Sequence, residues 1–346
     1  MYRRCVLALV LVLSLILAAC GGQTPAGNGS SPEAAESPAT SSPEVEEPEG
    51  ASPAAESPEA AESPEVAESP EAAESPEAPG SPASAASPEP VPSGSPVTSL
   101  GPIRDRGRLV AGIKFDQPGF GYLNPLTNEY EGFDVEIAKE IANQIFGDPE
   151  AVEFREAISA NRIPYLQNGV VDIIVATMTA NAERAEQIDF SDVYYVAGQS
   201  LLVRSDSDIE SIDDLAGRRV GTARGSTSER NIREFAPEAQ VELFDTYGDA
   251  VQALLANRIE AVTTDDIILY GYQTADPERL KVVGGQFTQE PYAVGVPKGN
   301  EELLNEVNTA IRNIKESGRW AEIYQQFIPE QEVPDPPPQN WQDVGN

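Results

Sequence analysis

Two kinds of segment alternate along the chain after residue 107. Short apolar runs have the length of buried strands, whereas longer stretches repeat their apolar residues every three or four positions, as amphipathic helices do. Segments that alternate in this way are typical of α/β layers built on parallel sheets. The predicted strands are 108–115, 171–176, 219–222 and 259–264, and the predicted helices are 133–146, 163–168, 249–256, 303–314 and 320–327.

One β/α unit of this pattern occurs twice. YLQNGVVDIIVAT (165–177) and ALLANRIEAVTTD (253–265) both pass from a helix end, through an asparagine and an acidic residue, into an apolar strand that ends in polar groups. Open α/β sheets bind ligands at the carboxyl ends of their strands. The repeat therefore favours two similar lobes that face each other across a cleft, although two unrelated β/α units could also resemble each other by chance.

The first 20 residues have the pattern of a targeting signal. Met1 to Ala19 begins with two arginines, continues as an apolar stretch too short for a membrane-spanning helix, and ends in small residues before Cys20. LAAC at 17–20 is similar to a bacterial lipobox, in which the cysteine is acylated. We predict a lipoprotein signal over 1–20, lipid attachment at Cys20 and an extracytoplasmic protein anchored to a membrane, in the periplasm or at the cell surface. An ordinary secretory signal is the alternative.

Residues 21–98 are predicted to form a disordered tether. Residues 21–100 contain fifteen glutamates and sixteen of the thirty prolines, with no lysine, arginine or aromatic residue. Such a segment has too little apolar surface to offset the entropy lost on folding. Proline and like charges keep it extended, so we interpret it as a spacer between anchor and folded part.

The remaining chain excludes several classes of function. Residues 101–346 carry 21 basic and 42 acidic side chains, and nucleic-acid binding needs a basic face instead. Histidine is absent from the whole sequence, which removes the commonest general base and the commonest zinc ligand. Only Cys5 and Cys20 are cysteines, so no disulfide is expected after signal removal. No metal, cofactor or nucleic acid is expected.

Candidate chemistry is concentrated in DIIVATMTANAER at 172–184. Asn181 is placed to cap a helix, whose first N–H groups can then face an anion. Arg184 follows in the first turn and offers a planar fork that matches a carboxylate. Thr177 and Thr179 add hydroxyl groups at the same edge. Taken alone, this segment could also be a capped helix with a surface arginine.

Four segments in order resemble a known family: GIKFDQPGFGYLN, EYEGFDVEIAKEIA, QNGVVDIIVATMTANAERAEQIDFSDVYY and EPYAVGVPKGN. They are similar to the extracellular solute-binding proteins of family 3, the receptors of polar amino-acid ABC importers. The resemblance implies an α/β, two-lobed periplasmic-binding-protein-like type II fold. Each lobe is a β-sheet flanked by helices, with a ligand cleft at the hinge. The implied domains are lobe 1 at 99–198 plus 291–330, lobe 2 at 199–290, and a loose tail at 331–346.

The resemblance also implies which residues hold the backbone of a free amino acid. By position, Thr179 and Arg184 bind its α-carboxylate, together with the loop residues Ser226–Thr227 of the second lobe. Asp265 takes the α-ammonium, and Thr177 lies beside it. The alternatives are ordinary ones, namely a helix-capping box that begins at Ser226 and a solvated turn residue at Asp265.

Three further positions bear on the side chain of the ligand. Lys114, Arg162 and Tyr247 match positions that are basic or tyrosine in glutamate- and aspartate-binding members. Two cations beyond those needed for one carboxylate indicate a second carboxylate on the ligand, so glutamate or aspartate is preferred. Asp116 lies on the same strand face as Lys114 and could neutralise it, which leaves a neutral polar amino acid such as glutamine as the alternative.

The expected mechanism is closure of two lobes on an amino acid, followed by delivery to an ABC permease with its ATPase subunits. A monomer without enzymatic activity is expected. The alternatives are an enzyme on the same scaffold, as in cyclohexadienyl dehydratases, an oxyanion receptor, and a sensor domain that acts through a separate partner. Asp265 argues against the oxyanion receptor, because a carboxylate in the site repels an anion.

Overall fold

The computed structural model describes residues 98–329 and 331–344. The predicted signal peptide, the lipid attachment at Cys20 and all but the last residue of the predicted tether lie outside these described residues. No helix within them has the length and apolar character needed to cross a membrane.

Thirteen strands and nine α-helices account for the regular structure of the described residues. The strands are β1 (Leu109–Ile113), β2 (Asp116–Gln117), β3 (Gly121–Leu123), β4 (Tyr130–Glu131), β5 (Val152–Glu156), β6 (Ile173–Ile174), β7 (Ile188–Ala197), β8 (Gln199–Arg204), β9 (Arg219–Ala223), β10 (Gln240–Phe244), β11 (Ala261–Asp265), β12 (Leu280–Val283) and β13 (Glu290–Pro297). The helices are α1 (Gly101–Arg106), α2 (Phe133–Phe146), α3 (Arg162–Gln167), α4 (Ala182–Ala185), α5 (Thr227–Phe235), α6 (Tyr247–Leu255), α7 (Asp266–Ala275), α8 (Glu301–Ser317) and α9 (Arg319–Phe327).

Two five-stranded sheets of matching topology form the two lobes. The first has the order β5-β1-β6-β13-β7 and the second β10-β9-β11-β8-β12. In each sheet three neighbouring strands are parallel, as the alternating pattern predicts. The fourth strand, β13 in the first sheet and β8 in the second, is antiparallel to them, and the edge strand beyond it runs in the original direction again. A small third sheet, β2-β3-β4, lies beside the first. The strands β6 and β11 occupy equivalent central places, so the repeat seen in the sequence corresponds to a structural repeat.

Helix α2 shows how local sequence makes these elements. Ile137 and Ile141 lie four residues apart and are fully buried in the core of the first lobe, where each contributes roughly 1.5–3 kcal/mol by leaving water. Gly147 ends the helix in a left-handed conformation (φ 72°), and its N–H donates to the carbonyl of Asn143. The predicted bounds 133–146 are confirmed.

The chain passes between the two sheets at two neighbouring points. Strand β7 leaves the first sheet and β8 enters the second after Gly198 alone, while the return runs through 284–289. Gly198 has no room for a side chain, because a Cβ there would lie 2.6 Å from the carbonyl oxygen of Thr288. The two crossings are joined by a 2.9 Å hydrogen bond from Gln199 N to the Thr288 hydroxyl. These paired connections lie close to the implied lobe boundaries at 198/199 and 290/291.

The two lobes touch each other in this structure. The carboxylate of Asp116, beside the first sheet, accepts from the N–H of Gly248 on α6 at 3.0 Å. The hydroxyl of Tyr272 on α7 donates to the carbonyl of Asp116 at 2.6 Å. The conformation is therefore a closed one, in which the polar strand ends are screened from water.

Two segments depart from the sequence expectation. The strand predicted over 171–176 is reduced to β6, because the backbone at Thr177 turns into a left-handed conformation (φ 43°) soon after it. The tail predicted to be loose makes specific contacts in its described part. Gln339 accepts from the N–H of Val193 on β7 at 2.8 Å, and Lys315 of α8 donates to the carbonyl of Pro337 at 3.0 Å.

Candidate ligand-binding site

A small buried cavity lies where the carboxyl ends of β6 and β11 approach each other. In this closed conformation its volume is only about 10 Å³, and its wall is almost entirely polar. It combines residues from both sheets, as a cleft between two lobes requires. The wall is formed by Ser159, Arg162, Thr177, Ser226, Thr227, Ser228, Tyr247, Thr264, Asp265 and Ile268.

Asp265 supplies a negative charge at this wall. It ends β11, is 4% exposed, and its Oδ2 accepts from the Tyr292 hydroxyl at 2.5 Å. Its Oδ1 is buried and has no hydrogen-bond partner among the described residues, which costs roughly 1–3 kcal/mol. Burial, with the neighbouring charge of Glu290, raises the pKa of Asp265 well above its usual range. A buried carboxylate in this state is stabilised by a cationic donor.

Thr177 has a strained backbone at the end of β6. Its φ of 43° is uncommon for a β-branched residue, and such strain, of order 1–3 kcal/mol, persists only where surrounding contacts hold it. Its N–H donates to Asp134 at 2.7 Å, its hydroxyl donates to Gln117 at 3.0 Å, and its carbonyl accepts from Arg162 at 3.1 Å. These contacts fix the direction in which Thr177 faces the cavity.

Asp134 is a buried residue of the site region that sequence reasoning missed. It accepts from Thr177 N and, at 2.8 Å, from the Tyr194 hydroxyl, and burial raises its pKa to about 6. In the sequence it is an acidic residue in the first turn of α2, a common helix-stabilising position. No sequence signal separates that ordinary role from a buried one.

Arg162 begins α3 and contributes positive charge to the cavity wall. Its guanidinium is buried and donates to the carbonyls of Ala176 at 2.8 Å and Thr177 at 3.1 Å. Among the ion pairs of the described residues none includes Arg162. Burial lowers its pKa from the usual value. Arg162 is thus a fixed cation that is solvated by backbone rather than neutralised.

Arg184 and Thr179 lie next to the cavity rather than on its wall. The predicted cap is present, since Asn181 accepts from Arg184 N at 2.9 Å. The Arg184 guanidinium donates to the carbonyl of Thr179 at 2.7 Å and, across the cleft, to that of Gly225 at 3.3 Å. Burial and the nearby charge of Arg162 lower its pKa to about 9. The Thr179 hydroxyl lies 3.4 Å from that of Thr227, which lines the cavity.

Lys114 also lies one contact away from the cavity. Its amine donates to the Ser159 hydroxyl at 2.9 Å and lies 6.0 Å from the centre of the Tyr247 ring. Asp116 is engaged elsewhere, by Gly248 and Tyr272, and forms no ion pair with this lysine among the described contacts. Asp116 therefore does not neutralise Lys114 through a direct ion pair.

Ser226 shows that capping and wall-lining are compatible. Its hydroxyl caps α5 by accepting from Glu229 N at 3.1 Å, and Glu229 accepts in turn from Gly225 N at 3.0 Å. Ser226 and Thr227 both lie on the cavity wall. The loop thus joins the second lobe to the site.

Six of the nine predicted ligand-binding residues line the cavity. Lys114 and Thr179 contact wall residues, and Arg184 lies behind Thr179. The sequence reasoning missed four wall residues. Ser159 precedes Arg162 by three positions and Thr264 precedes Asp265, so proximity to a predicted residue was the available signal. The missed wall residues are Ser159, Ser228, Thr264 and Ile268.

A larger, more open cavity, with a volume of about 670 Å³, lies along the other side of α7 and reaches Phe327. Its carboxylate, Asp266, already accepts from Gly198 N at 3.2 Å and Gln286 at 2.8 Å. Size therefore does not make it the better candidate. No cluster of three or more metal-ligating side chains occurs in the described part of the chain.

The fold and this cavity define a class of extracellular binding protein, and comparison with known proteins identifies the family. Residues 109–330 match the bacterial extracellular solute-binding proteins, family 3, and the chain belongs to that family. The predicted family and the two-lobed type II fold are thereby confirmed. The protein is a solute-binding component of amino-acid ABC transport.

Named relatives bind different amino acids. The chain is 46% identical over 228 residues to the ABC transporter glutamine-binding protein GlnH of Bacillus subtilis, covering 66% of this chain and 83% of that protein. It is 35% identical over 240 residues to the glutamate-binding protein GluB of Corynebacterium glutamicum, covering 66% and 81%. A solved structure of an ancestral arginine-binding protein bound to glutamine superposes with a TM-score of 0.61 at 38% identity, over 64% of this chain and 98% of that one.

Proposed function

We propose that this protein captures glutamine by closing its two lobes around the free amino acid, and then delivers it to an ABC permease with its ATPase subunits. The observation that carries the proposal is the unpaired, buried Asp265 oxygen on the wall of a cavity beside which the buried guanidinium of Arg184 forms no ion pair with any described residue. A free amino acid is a zwitterion, and burying it requires a partner for each charge.

The ligand backbone is assigned to both lobes. Asp265 receives the α-ammonium at its unpartnered Oδ1. Arg184 receives the α-carboxylate, with Thr179 and the Ser226–Thr227 loop beside it, and Thr177 lies near the ammonium. Because Arg184 comes from the first half and Asp265 from the second, a zwitterion contacts both and favours the closed state by its differential affinity.

Glutamine is preferred over the glutamate or aspartate expected from the sequence. That expectation counted Lys114 and Arg162 as free cations. In the structure Arg162 donates to two backbone carbonyls, and Lys114 donates to Ser159 with a pKa lowered by burial to about 7. A neutral amide therefore suits this end of the cavity, in agreement with the higher identity to a glutamine-binding relative than to a glutamate-binding one.

An enzyme on this scaffold is disfavoured by the same observations. Histidine is absent from the sequence, and the carboxylate best placed to act as a base, Asp265, is held by Tyr292 and lies at the predicted ammonium position. We further propose a monomer whose lobes comprise 99–198 plus 291–330 and 199–290, held to a membrane by lipid on Cys20 through the acidic tether.

Binding calorimetry of the full chain against all common amino acids tests this assignment. Glutamine is expected to bind at neutral pH at least about tenfold more tightly than glutamate, a difference of about 1.4 kcal/mol. Arginine is the control ligand, because its cationic side chain would meet Arg162 and Lys114. Tighter binding of glutamate at neutral pH would return the choice to a dicarboxylic ligand, and binding of no amino acid would refute the proposed function.

Lobe closure has its own test at Gly271. This α7 glycine faces the first lobe so closely that a Cβ would lie 2.2 Å from the carbonyl oxygen of Pro118. Gly271→Ala is expected to weaken glutamine binding by about 5- to 150-fold, because overpacking of roughly 1–3 kcal/mol is felt only in the closed state. The ligand-free Tm should not fall, since alanine favours a helix.

Gly101→Ala is the matched control for that variant, because a Cβ at Gly101 meets no atom within 4 Å. Its glutamine affinity should equal that of the wild type. Wild-type affinity in Gly271→Ala would contradict a ligand-bound state as closed as this one.

A further inference from the structure

One buried amine next to the cavity is not used by the binding of a zwitterion. Lys114 directly follows β1 in the first lobe. It is 3% exposed and donates to Ser159 Oγ at 2.9 Å. In the part of the chain that the structure describes, it belongs to no ion pair. A buried ammonium without a paired carboxylate is costly, and the usual response is loss of its proton.

Both positive and negative groups surround Lys114, and they shift its pKa in opposite directions. Burial is the strongest influence on its pKa, followed by the repulsion from Arg162, and the resulting pKa is about 7. Both nearby carboxylates already accept hydrogen bonds from other groups, so neither is available as a direct partner. The surrounding groups are Arg162, Arg184, Asp116, Asp134 and the ring of Tyr247.

Ser159 connects this amine to the ligand space. It lies on the cavity wall together with Arg162 and Tyr247, while its hydroxyl oxygen accepts from Lys114. The side-chain end of a bound amino acid, opposite Asp265, therefore lies within reach of a group that can be either an ammonium or a neutral amine. The first form favours a carboxylate and the second tolerates an amide.

We propose that Lys114 is a specificity-determining residue whose protonation state sets the choice between glutamine and glutamate, so that the preference between the two ligands depends on pH. This inference rests on the proposed function, because it assumes that a free amino acid occupies the cavity. It adds a second ligand, glutamate, which gains access as the pH falls.

The direction of the effect follows from the two complexes alone. The affinities for glutamine and for glutamate refer to the same free protein, whose protonation therefore cancels in their ratio. The pH dependence of that ratio is set by the pKa of Lys114 in each of the two complexes. A glutamate γ-carboxylate raises that pKa, whereas a neutral amide leaves it near the value of about 7 that burial gives the amine in this closed conformation. The gain in glutamate affinity relative to glutamine affinity is therefore fully present below pH ~7. It is lost as the pH rises towards the pKa that Lys114 has in the glutamate complex.

The test is calorimetric titration of the full chain with glutamine and with glutamate from pH 6.5 to 9 (about half a unit below to two units above the pKa of the Lys114 amine). In the wild type, the affinity for glutamate relative to glutamine should fall with rising pH, approaching about tenfold per unit above pH ~7. The α-amino groups of the two ligands titrate alike and cancel in the ratio.

Two variants separate charge from packing. Lys114→Met should remove the slope and leave a constant preference for glutamine, whereas Lys114→Arg should remove the slope with a constant gain for glutamate, because arginine stays protonated throughout this range. Lys139→Met is the matched control, since Lys139 is on α2 in an ion pair with the exposed Glu150. It should keep the wild-type slope.

Two results would overturn the inference while leaving glutamine binding intact. One is a wild-type ratio that does not change with pH, and the other is a slope that persists in Lys114→Met. Failure of the wild type to bind either amino acid would instead refute the proposed function itself.

Discussion

Asp265→Asn is expected to raise the Kd for glutamine by about two to four orders of magnitude. Removing one partner of a buried, hydrogen-bonded charge pair generally costs about 3–5 kcal/mol. Asparagine keeps the size of the side chain and an acceptor for the Tyr292 hydroxyl, but it has no charge for the α-ammonium. Calorimetry with glutamine measures the loss.

The same variant separates binding from stability. The Asp265 Oδ1 has no partner among the described residues in this closed conformation, and opening of the lobes would expose it to water, so its replacement should leave the Tm measured without glutamine unchanged or higher. The rise in Tm that glutamine gives the wild type should disappear. Asp276→Asn, at the far end of α7 in a surface ion pair with Arg279, is the control and should bind normally. Glutamine binding within about threefold of wild type in Asp265→Asn would refute the ammonium assignment.

Arg184→Ala is expected to abolish measurable binding of every amino acid, whatever its side chain. The guanidinium is assigned to the α-carboxylate, which all amino acids share, and truncation of such a buried pair costs about 2–5 kcal/mol. Arg184 also donates across the cleft to the carbonyl of Gly225, so the variant loses a contact that belongs to the closed state. Calorimetry with glutamine and glutamate checks the prediction.

Arg230→Ala is the matched control for Arg184→Ala. Arg230 is a neighbouring cation that crosses the cleft to Glu183 at 3.2 Å, but both partners are exposed, and such pairs contribute little. Its affinity should stay within about fivefold of wild type. If Arg184→Ala weakens one ligand while sparing another, Arg184 contacts the side chain of the ligand rather than its α-carboxylate.

The contrast between Arg162 and Arg184 shows where sequence reasoning was limited. Both positions were predicted to bind the ligand, Arg184 at the α-carboxylate and Arg162 at a side-chain carboxylate. In the structure Arg162 lines the cavity and solvates the end of β6, whereas Arg184 stands behind Thr179 and Thr227. Which carbonyls a guanidinium reaches depends on chain segments that are distant in sequence, so spacing could not distinguish these environments.

The sequence by itself determined the elements and the edge at which polar groups collect. Periodicity located α2 to the residue, and the repeated β/α unit placed Thr177 and Asp265 at equivalent strand ends, because side-chain period and strand polarity are local properties. Motif order along the chain was sufficient to identify the family.

Only the tertiary structure decided the charge states of the buried groups around the cavity. The pKa of Lys114 falls to about 7 because burial removes water and brings Arg162 near, and the pKa of Asp134 rises to about 6 because α2 buries it under Thr177. Desolvation and through-space charge act between residues that the chain separates by dozens of positions. A pattern that lists two extra cations therefore predicted a dicarboxylic ligand, whereas our proposal of glutamine rests on the folded environment of those cations.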